Sequence, residues 1–442
     1  MSGRLLKRLK VRETALWKAM SWSGANSVLR IVLGFFSAKV SALFLGPAGM
    51  ALVGEIANFI QVSTGAIANG AQTAVVNLTA ERRSSPARLQ ELWATAIWSV
   101  LLLSGLVALV VLSSASTLSS WLLFDAKYWP VIVAGGFVVM LAVVDTVLIG
   151  ALNGLKQIKL IAIASIACTI VEFILFAGLT YTFGIWGGLI GMTAVYGTKL
   201  AVSSWIAFRS KLISPRALFS SFDLATLRDI WKFYPMLIAH SIALPFAQLL
   251  VRGGTVRTLG LDQGGYLQAV WRLSDMYVGV ITTALGFYFM AYFSSLEGEG
   301  QRGELLRRTI VQLCVITACC ASAIYLLRDV IIAVVLTSHF APMRDLLAFQ
   351  LIGDVFKVMD YPLQMVLVTQ RRTAAYIAQA VCGPALYVAL SNAWRPSLGA
   401  QAVPTAYATS HFIVMLVLLF VLRGTLTARR EALPALPGIQ TV

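Results

Sequence analysis

Apolar residues run through this chain in blocks about as long as a bilayer is thick, separated by short polar breaks. A lipid-spanning helix needs about 20 mostly apolar residues. Such blocks fall near 17–45, 48–76, 90–113, 129–151, 159–182, 187–208, 230–251, 264–292, 309–327, 345–369, 374–392 and 404–422. The pattern predicts an all-α membrane protein with twelve transmembrane helices. The block at 374–392 contains Pro384 and is defined mainly by its borders, Arg371-Arg372 and Trp394-Arg395-Pro396. The longest polar stretch, 209–229, divides the blocks six and six, so the predicted organisation is an N-terminal six-helix bundle (1–208), a cytoplasmic linker (209–229) and a C-terminal six-helix bundle (230–442). FLGPAGMALVGEIANF after the first block is echoed by TLGLDQGGYLQAVWRLSD after the seventh, with two extra residues before Gly265. The echo suggests pseudo-symmetric parallel repeats of the kind seen in secondary transporters, and coincidence between Gly-rich turns is the competing explanation.

Composition agrees. Hydrophobic residues make up 58% of the 442 residues, charged residues 12%, and mean hydropathy is +0.81; soluble domains carry about 25% charged residues. The basic run 1–12 precedes an apolar block too long for a signal peptide and without a small-residue cleavage site, so the first helix is expected to be retained. Most Lys and Arg fall on one side of the predicted spans, from Arg4 to Lys18, then Arg82, Arg83, Arg88, Lys156, Lys159, the basic residues of 209–232, Arg302, Arg307, Arg308, Arg371, Arg372, Arg423, Arg429 and Arg430. Lys127, Arg252, Arg257, Arg328, Arg344 and Arg395 are assigned to the opposite loops. The bias puts both termini in the cytoplasm. It accounts for the net charge of +16 by orientation and by attraction to anionic lipid, with no nucleic acid needed. The five cysteines, all in predicted helices, read as small buried hydrophobes.

Chemistry-bearing motifs are absent. There is no P-loop, no H-E-x-x-H and no G-x-S-x-G; the three histidines are scattered, and no cofactor, metal or enzymatic activity is expected. What stands out is charge at membrane depth: Arg30, Lys39, Lys199, Arg272 and Lys357 against Glu55, Asp145, Glu172, Asp275, Asp354 and Asp360. A charged side chain at mid-bilayer costs at least ~2.5 kcal/mol, so such residues face a bundle interior or a water-filled path. Arg30 is the foremost candidate for gripping an anion, because a guanidinium can hold phosphate at two points. Lys39 and Glu55 either serve the pathway or bridge consecutive helices. Arg272 and Asp275 share a helical face, as do Asp354, Lys357 and Asp360. The second half therefore holds one more carboxylate than it needs for pairing with its own cations. Asp275, Asp354 and Asp360 are either ion-coupling residues for H⁺ or Na⁺ or structural ion pairs locking the eighth and tenth helices. Lys199, Asp145 and Glu172 are weaker candidates; Lys199 and Asp145, toward inner helix ends, could snorkel. Pro235 and Pro245 in the seventh helix, and Pro362 in the tenth, mark either hinges or static kinks.

LGPAGMALVGE (45–55), LNGLKQIK (152–159), LQAVWRLSDMY (267–277) and LRDVIIAVVLTSHFAPMRDLLAFQLIGDVFKV (327–358) together resemble the Wzx-type polysaccharide flippases (O-antigen translocases and lipid III flippases) of the multidrug/oligosaccharidyl-lipid/polysaccharide exporter superfamily. The resemblance fades over the last two helices; some relatives carry further charges there, whereas this chain has only His411 within them. It implies a V-shaped pair of six-helix bundles alternating between inward-open and outward-open states. It implies an undecaprenyl-pyrophosphate-linked oligosaccharide as cargo, moved between leaflets of a bacterial inner membrane, with ion coupling and a polysaccharide polymerase as further expectations. Arg30, Lys39, Arg272 and Lys357 are then the substrate-binding candidates, and Asp275, Asp354, Asp360 and Glu55 the ion-coupling ones. The alternatives are a cation-coupled antiporter of small molecules and a non-transporting membrane scaffold.

Overall fold

The computed structural model describes residues 26–427, and these are almost wholly helical. Residues 17–25 of the first predicted block, the basic residues of 1–25, and Arg429 and Arg430 lie outside the described residues. The long elements are α1 (Asn26–Phe44), α2 (Gly46–Glu81), α3 (Pro86–Ser113), α5 (Trp129–Gly154), α6 (Ile158–Arg209), α8 (Tyr234–Leu259), α9 (Leu261–Ser295), α10 (Glu299–Leu326), α12 (Arg344–Thr369), α13 (Thr373–Leu398) and α14 (Ala402–Val421). Short α4 (Ala115–Leu122), α7 (Leu224–Trp231), α11 (Arg328–Val335) and α15 (Arg423–Thr427) lie between or after them. α6 is 52 residues long and broken at Gly184, where φ is 57° and ψ −130°, so it supplies two spans. Among the described residues the spans number twelve, as the apolar pattern predicts, and the protein is a multi-pass membrane protein.

The breaks repeat. Glycines with positive φ join α1 to α2 (Gly46), the halves of α6 (Gly184), α8 to α9 (Gly260) and α13 to α14 (Gly399). Gly184 and Gly399 have nearly identical angles, φ 57° with ψ −130° and −132°. A side chain is strongly disfavoured there. Lys156, between α5 and α6, and Arg371, between α12 and α13, also share a positive φ. Each half further carries a short helix and a 3₁₀ turn before its fourth span: α4 with Ala126–Tyr128, and α11 with Ser338–Met343. Equivalent elements recur in the same order at nearly constant separation, which gives the FLGPAG/TLGLDQ echo a structural counterpart at Gly46 and Gly260.

Contacts divide the chain inside α8, between Leu249 and Leu250. In the first unit α2, α3 and α5 share a core of Ala71, Val75, Leu92, Ile97, Val143 and Val147. Gly150 and Gly154 on α5 permit close approach to α2: a Cβ at Gly154 would lie 2.5 Å from Thr79 Cβ and 2.8 Å from Val76 O. Such small-xxx-small contacts are what membrane helices use in place of a hydrophobic drive. On the opposite side of α3, Leu102, Leu106, Leu109 and Val110 are exposed, which makes a lipid-facing surface. The 209–229 segment packs back on this unit. Asp223 caps α7 by accepting from Thr226 N at 2.6 Å, and Arg82 holds both Thr226 Oγ1 (2.8 Å) and Asp229 (3.0 Å). The backbone N–H of Thr226 holds the Asp223 carboxyl below its ordinary range, and the Lys232 ammonium, with Arg82, does the same for Asp229. In the second unit Phe289, Phe293, Leu306, Leu363, Val366 and Leu418 form an apolar cluster.

The five arginines expected in the opposite loops all fall in helices. Arg252 and Arg257 lie in α8, which continues to Gly260, Arg395 lies in α13, and Arg328 and Arg344 are the first residues of α11 and α12. Pro245 and Pro362 are accommodated inside continuous helices.

Candidate ion and headgroup site

The polar stripe of α12 organises the second unit. Helical spacing puts Gln350, Asp354, Lys357, Asp360 and Gln364 near one face, and α12 packs against α9, α10, α13 and α14. Asp354 is fully buried. Its Oδ1 accepts from Ser274 Oγ (2.5 Å), Tyr407 OH (3.0 Å) and Gln350 Nε2 (3.4 Å), and its Oδ2 from Tyr277 OH (2.7 Å). Donors from α9, α12 and α14 thus converge on one carboxylate, the kind of shell that lets a charge stay inside a low-dielectric interior. Gly353 makes this possible, since a Cβ there would collide with the Tyr407 ring and lie 3.0 Å from Ala408 Cα.

Lys357 and Asp275 meet at 3.7 Å, Lys357 half-buried and Asp275 with 63% of its side chain exposed. Lys357 Nζ also stands 5.8 Å from the Tyr407 ring centroid. Arg272 lies on α9 one turn before Asp275 and is partly buried. A carboxylate as open as Asp275 at membrane depth is compatible with a water-lined or cargo-lined path and not with hydrocarbon.

Asp360 is 1% exposed and engages His411 on α14, with Nδ1 2.9 Å from Oδ2, while Gln364 Nε2 donates to Oδ1 at 2.6 Å. The Tyr407 and His411 rings contact edge to face, with centroids 4.7 Å apart. Tyr407 therefore links the Asp354 shell, Lys357 and the Asp360–His411 pair. Toward the α8–α9 connection, buried Arg252 donates to Gln268 and lies over Trp271 (5.5 Å), and Arg395 donates to Val251 O (3.3 Å).

In the first unit Arg30 is exposed on α1, with Nη2 3.5 Å from Ser165 Oγ. Lys39 is half-buried and Glu55, on α2, is 1% exposed. Lys199 pairs with Glu172 at 3.2 Å across the break in α6 and sits over the Tyr196 ring at 4.9 Å. Asp145 of α5 adjoins Lys199 and the Ser203 hydroxyl. The structure thus brings together Asp275 with Lys357, and Asp354 with its hydroxyl shell, and gives Asp360 a partner on α14. Sequence reasoning left out that partner, His411, and the shell of Ser274, Tyr277, Gln350 and Tyr407. The i, i+4 spacings of Gln350–Asp354 and Tyr407–His411 were the available signals.

No family model matches the chain. The lipid III flippase of Escherichia coli strain K12 is 26% identical to it over 405 residues, covering 90% of this chain and 96% of that protein. The lipid III flippase of Shigella flexneri matches to the same extent. Among solved structures, an inward-facing multidrug resistance MATE family transporter of the MOP superfamily aligns with a TM-score of 0.71 at 15% identity, covering 91% of this chain and 98% of that one. Lipid II flippase MurJ in its inward closed conformation aligns with a TM-score of 0.72 at 14% identity, covering 91% and 87%. The chain has the twelve-helix fold of these transporters.

Proposed function

We propose that this chain, similar along nearly its whole length to lipid III flippases and built on the MATE and MurJ fold, flips undecaprenyl-pyrophosphate-linked oligosaccharide from the inner to the outer leaflet of a bacterial inner membrane for surface polysaccharide synthesis. The observation that carries the reading is the match to lipid III flippases over 90% of the chain. The antiporter and scaffold readings find no comparable support.

In this mechanism the substrate-binding candidates are Arg30 and Lys39 in the first unit and Arg272 and Lys357 in the second. Arg30 is suited to the task because its 3.5 Å contact with Ser165 is weak and easily exchanged for phosphate oxygens. Lys357 is already engaged, but its 3.7 Å pair with open Asp275 is worth only about 0–1 kcal/mol, so a doubly charged headgroup can displace Asp275. Asp275, Asp354, Asp360 and Glu55 are the candidates for coupling to an ion gradient. Both termini face the cytoplasm, and a polysaccharide polymerase receives the delivered cargo.

The test is reconstitution of the full chain in vesicles with a labelled lipid-linked oligosaccharide, read as leaflet exchange. Loss of charge-assisted hydrogen bonds worth about 1.5–3 kcal/mol predicts that Arg30→Ala slows exchange by roughly 10- to 100-fold at equal protein level. Exchange by the Ala variant at the parental rate would remove Arg30 from the headgroup path; absence of exchange by the parent would refute the flippase reading.

A further inference from the structure

We propose that His411 is the proton-binding residue of this protein, and that it takes up its proton together with an anionic headgroup. The inference rests on the flippase reading above for the identity of the anion.

Geometry selects His411 over its partner. Asp360 is 1% exposed and both its oxygens are engaged, by His411 and by Gln364. The His411 side chain keeps 21% of its surface, so it is the member of the pair that can exchange a proton with water. Imidazole is also the side chain whose ordinary titration falls near neutral pH.

The internal repeat sets this pair apart. Asp145 and Asp360 stand at the same distance before the positive-φ residues that follow their helices, Lys156 and Arg371. At that offset Tyr196 takes the place of His411, and Lys199 is paired with Glu172 at 3.2 Å, so the first half carries the acid without an imidazole.

Charge balance sets the direction of coupling. The groups facing this region are Asp354, Lys357 and Asp360 from α12; Asp275 and Tyr277 from α9; Tyr407 from α14 itself; and Tyr387 of α13, whose ring meets Tyr407 at 5.8 Å. With a neutral imidazole, three carboxylates face one cation, Lys357. With an imidazolium they face two. A pyrophosphate diester adds two negative charges, so its arrival favours the imidazolium, and by reciprocity protonation of His411 favours the headgroup. Tyr407 is the physical link, touching the His411 ring at 4.7 Å and accepting Lys357 over its face at 5.8 Å.

The test uses the full chain in detergent and polyprenyl-pyrophosphoryl-N-acetylglucosamine as probe, because a pyrophosphate diester does not itself titrate near neutrality. Affinity is measured between about pH 6 and pH 8, where an imidazole changes charge. The expected affinity falls as pH rises, by up to about tenfold per pH unit, the limit for one linked proton. In His411→Gln, which keeps a hydrogen bond to Asp360 but no titration, the slope flattens and binding is weak throughout. In His411→Arg, a fixed cation, the slope flattens and binding is tight throughout. A slope unchanged in either variant, or affinity that rises with pH in the parent, would overturn the assignment while leaving the flippase reading standing. Absence of probe binding by the parent would overturn both.

Discussion

Asp354 offers the sharpest separation of folding from transport. Alanine at this position removes the acceptor for Ser274, Tyr277, Tyr407 and Gln350 at once. A buried donor left without a partner costs about 1–3 kcal/mol. Gln350, whose Nε2 donates to Ser274 Oγ at 3.4 Å, can flip its amide to offer the carbonyl to the Ser274 hydroxyl, and Tyr277 is only partly buried, so about two full penalties remain, or ~3–5 kcal/mol. At about 2–4 °C per kcal/mol for a unit of this size, the apparent melting temperature of Asp354→Ala should fall by roughly 6–20 °C. Asparagine is different. Its carbonyl can occupy the Oδ1 position and accept from Ser274 and Tyr407, while its amide donates to the Tyr277 oxygen. The expected loss is about 1 kcal/mol, the difference between charged and neutral hydrogen bonds, offset by relief of desolvation. Unfolding in detergent at one fixed heating rate, followed by tryptophan fluorescence, measures both variants. An Asp354→Ala protein that melts with the parent would refute the hydroxyl-shell account. If Asp354→Asn folds normally yet exchanges no lipid, the carboxylate charge serves transport; exchange at the parental rate would strike Asp354 from the ion-coupling set.

Gly353→Ala should cost about 1–3 kcal/mol by overpacking and slow leaflet exchange, because the new methyl would push Tyr407 away from Asp354; a variant with parental melting and exchange would contradict the close approach of α12 and α14. Gly184→Ala meets no neighbour within 4 Å, so its expected cost of about 1–3 kcal/mol is purely conformational, and an unchanged melt would show that the break in α6 is not held at φ 57°. Asp223 and Asp229 have carboxyls held below their ordinary range, so the stability they lend α7 is complete above an unfolded value of about 4 and is lost as pH falls through the lower folded values. Hydrogen exchange of 224–231, corrected for the intrinsic rate, should be flat above about pH 5 and rise only in stronger acid; loosening already near neutrality would disprove the latch.

The spans were legible because bilayer thickness imposes a length and an apolar composition on each of them, and both can be read along the chain. Gly184 and Gly399 fell inside the predicted breaks for the same reason. Arg252, Arg257 and Arg395 were misplaced because a hydropathy window ends a span at its first charge. The backbone does not: α8 carries Arg252 and Arg257 past Val251 and stops only at Gly260. At the candidate site the acids announced themselves by their cost in a membrane, but their partners did not. Serine and tyrosine are unremarkable in such helices, so nothing marked Ser274, Tyr277 and Tyr407 as one shell. His411 was passed over because its partner sits on α12, and spacing along one helix says nothing about a neighbour on another. The repeat supplies what spacing lacks. Once Lys156 and Arg371 are matched as equivalent turns, Asp360 acquires Asp145 as its counterpart, and the place of His411 falls to Tyr196. Tyr196 lies under Lys199, which pairs with Glu172, so the first half keeps the acid and lacks the imidazole. An Asp–His pair confined to one half of a repeated scaffold is not something the scaffold itself requires, and that is what singles His411 out.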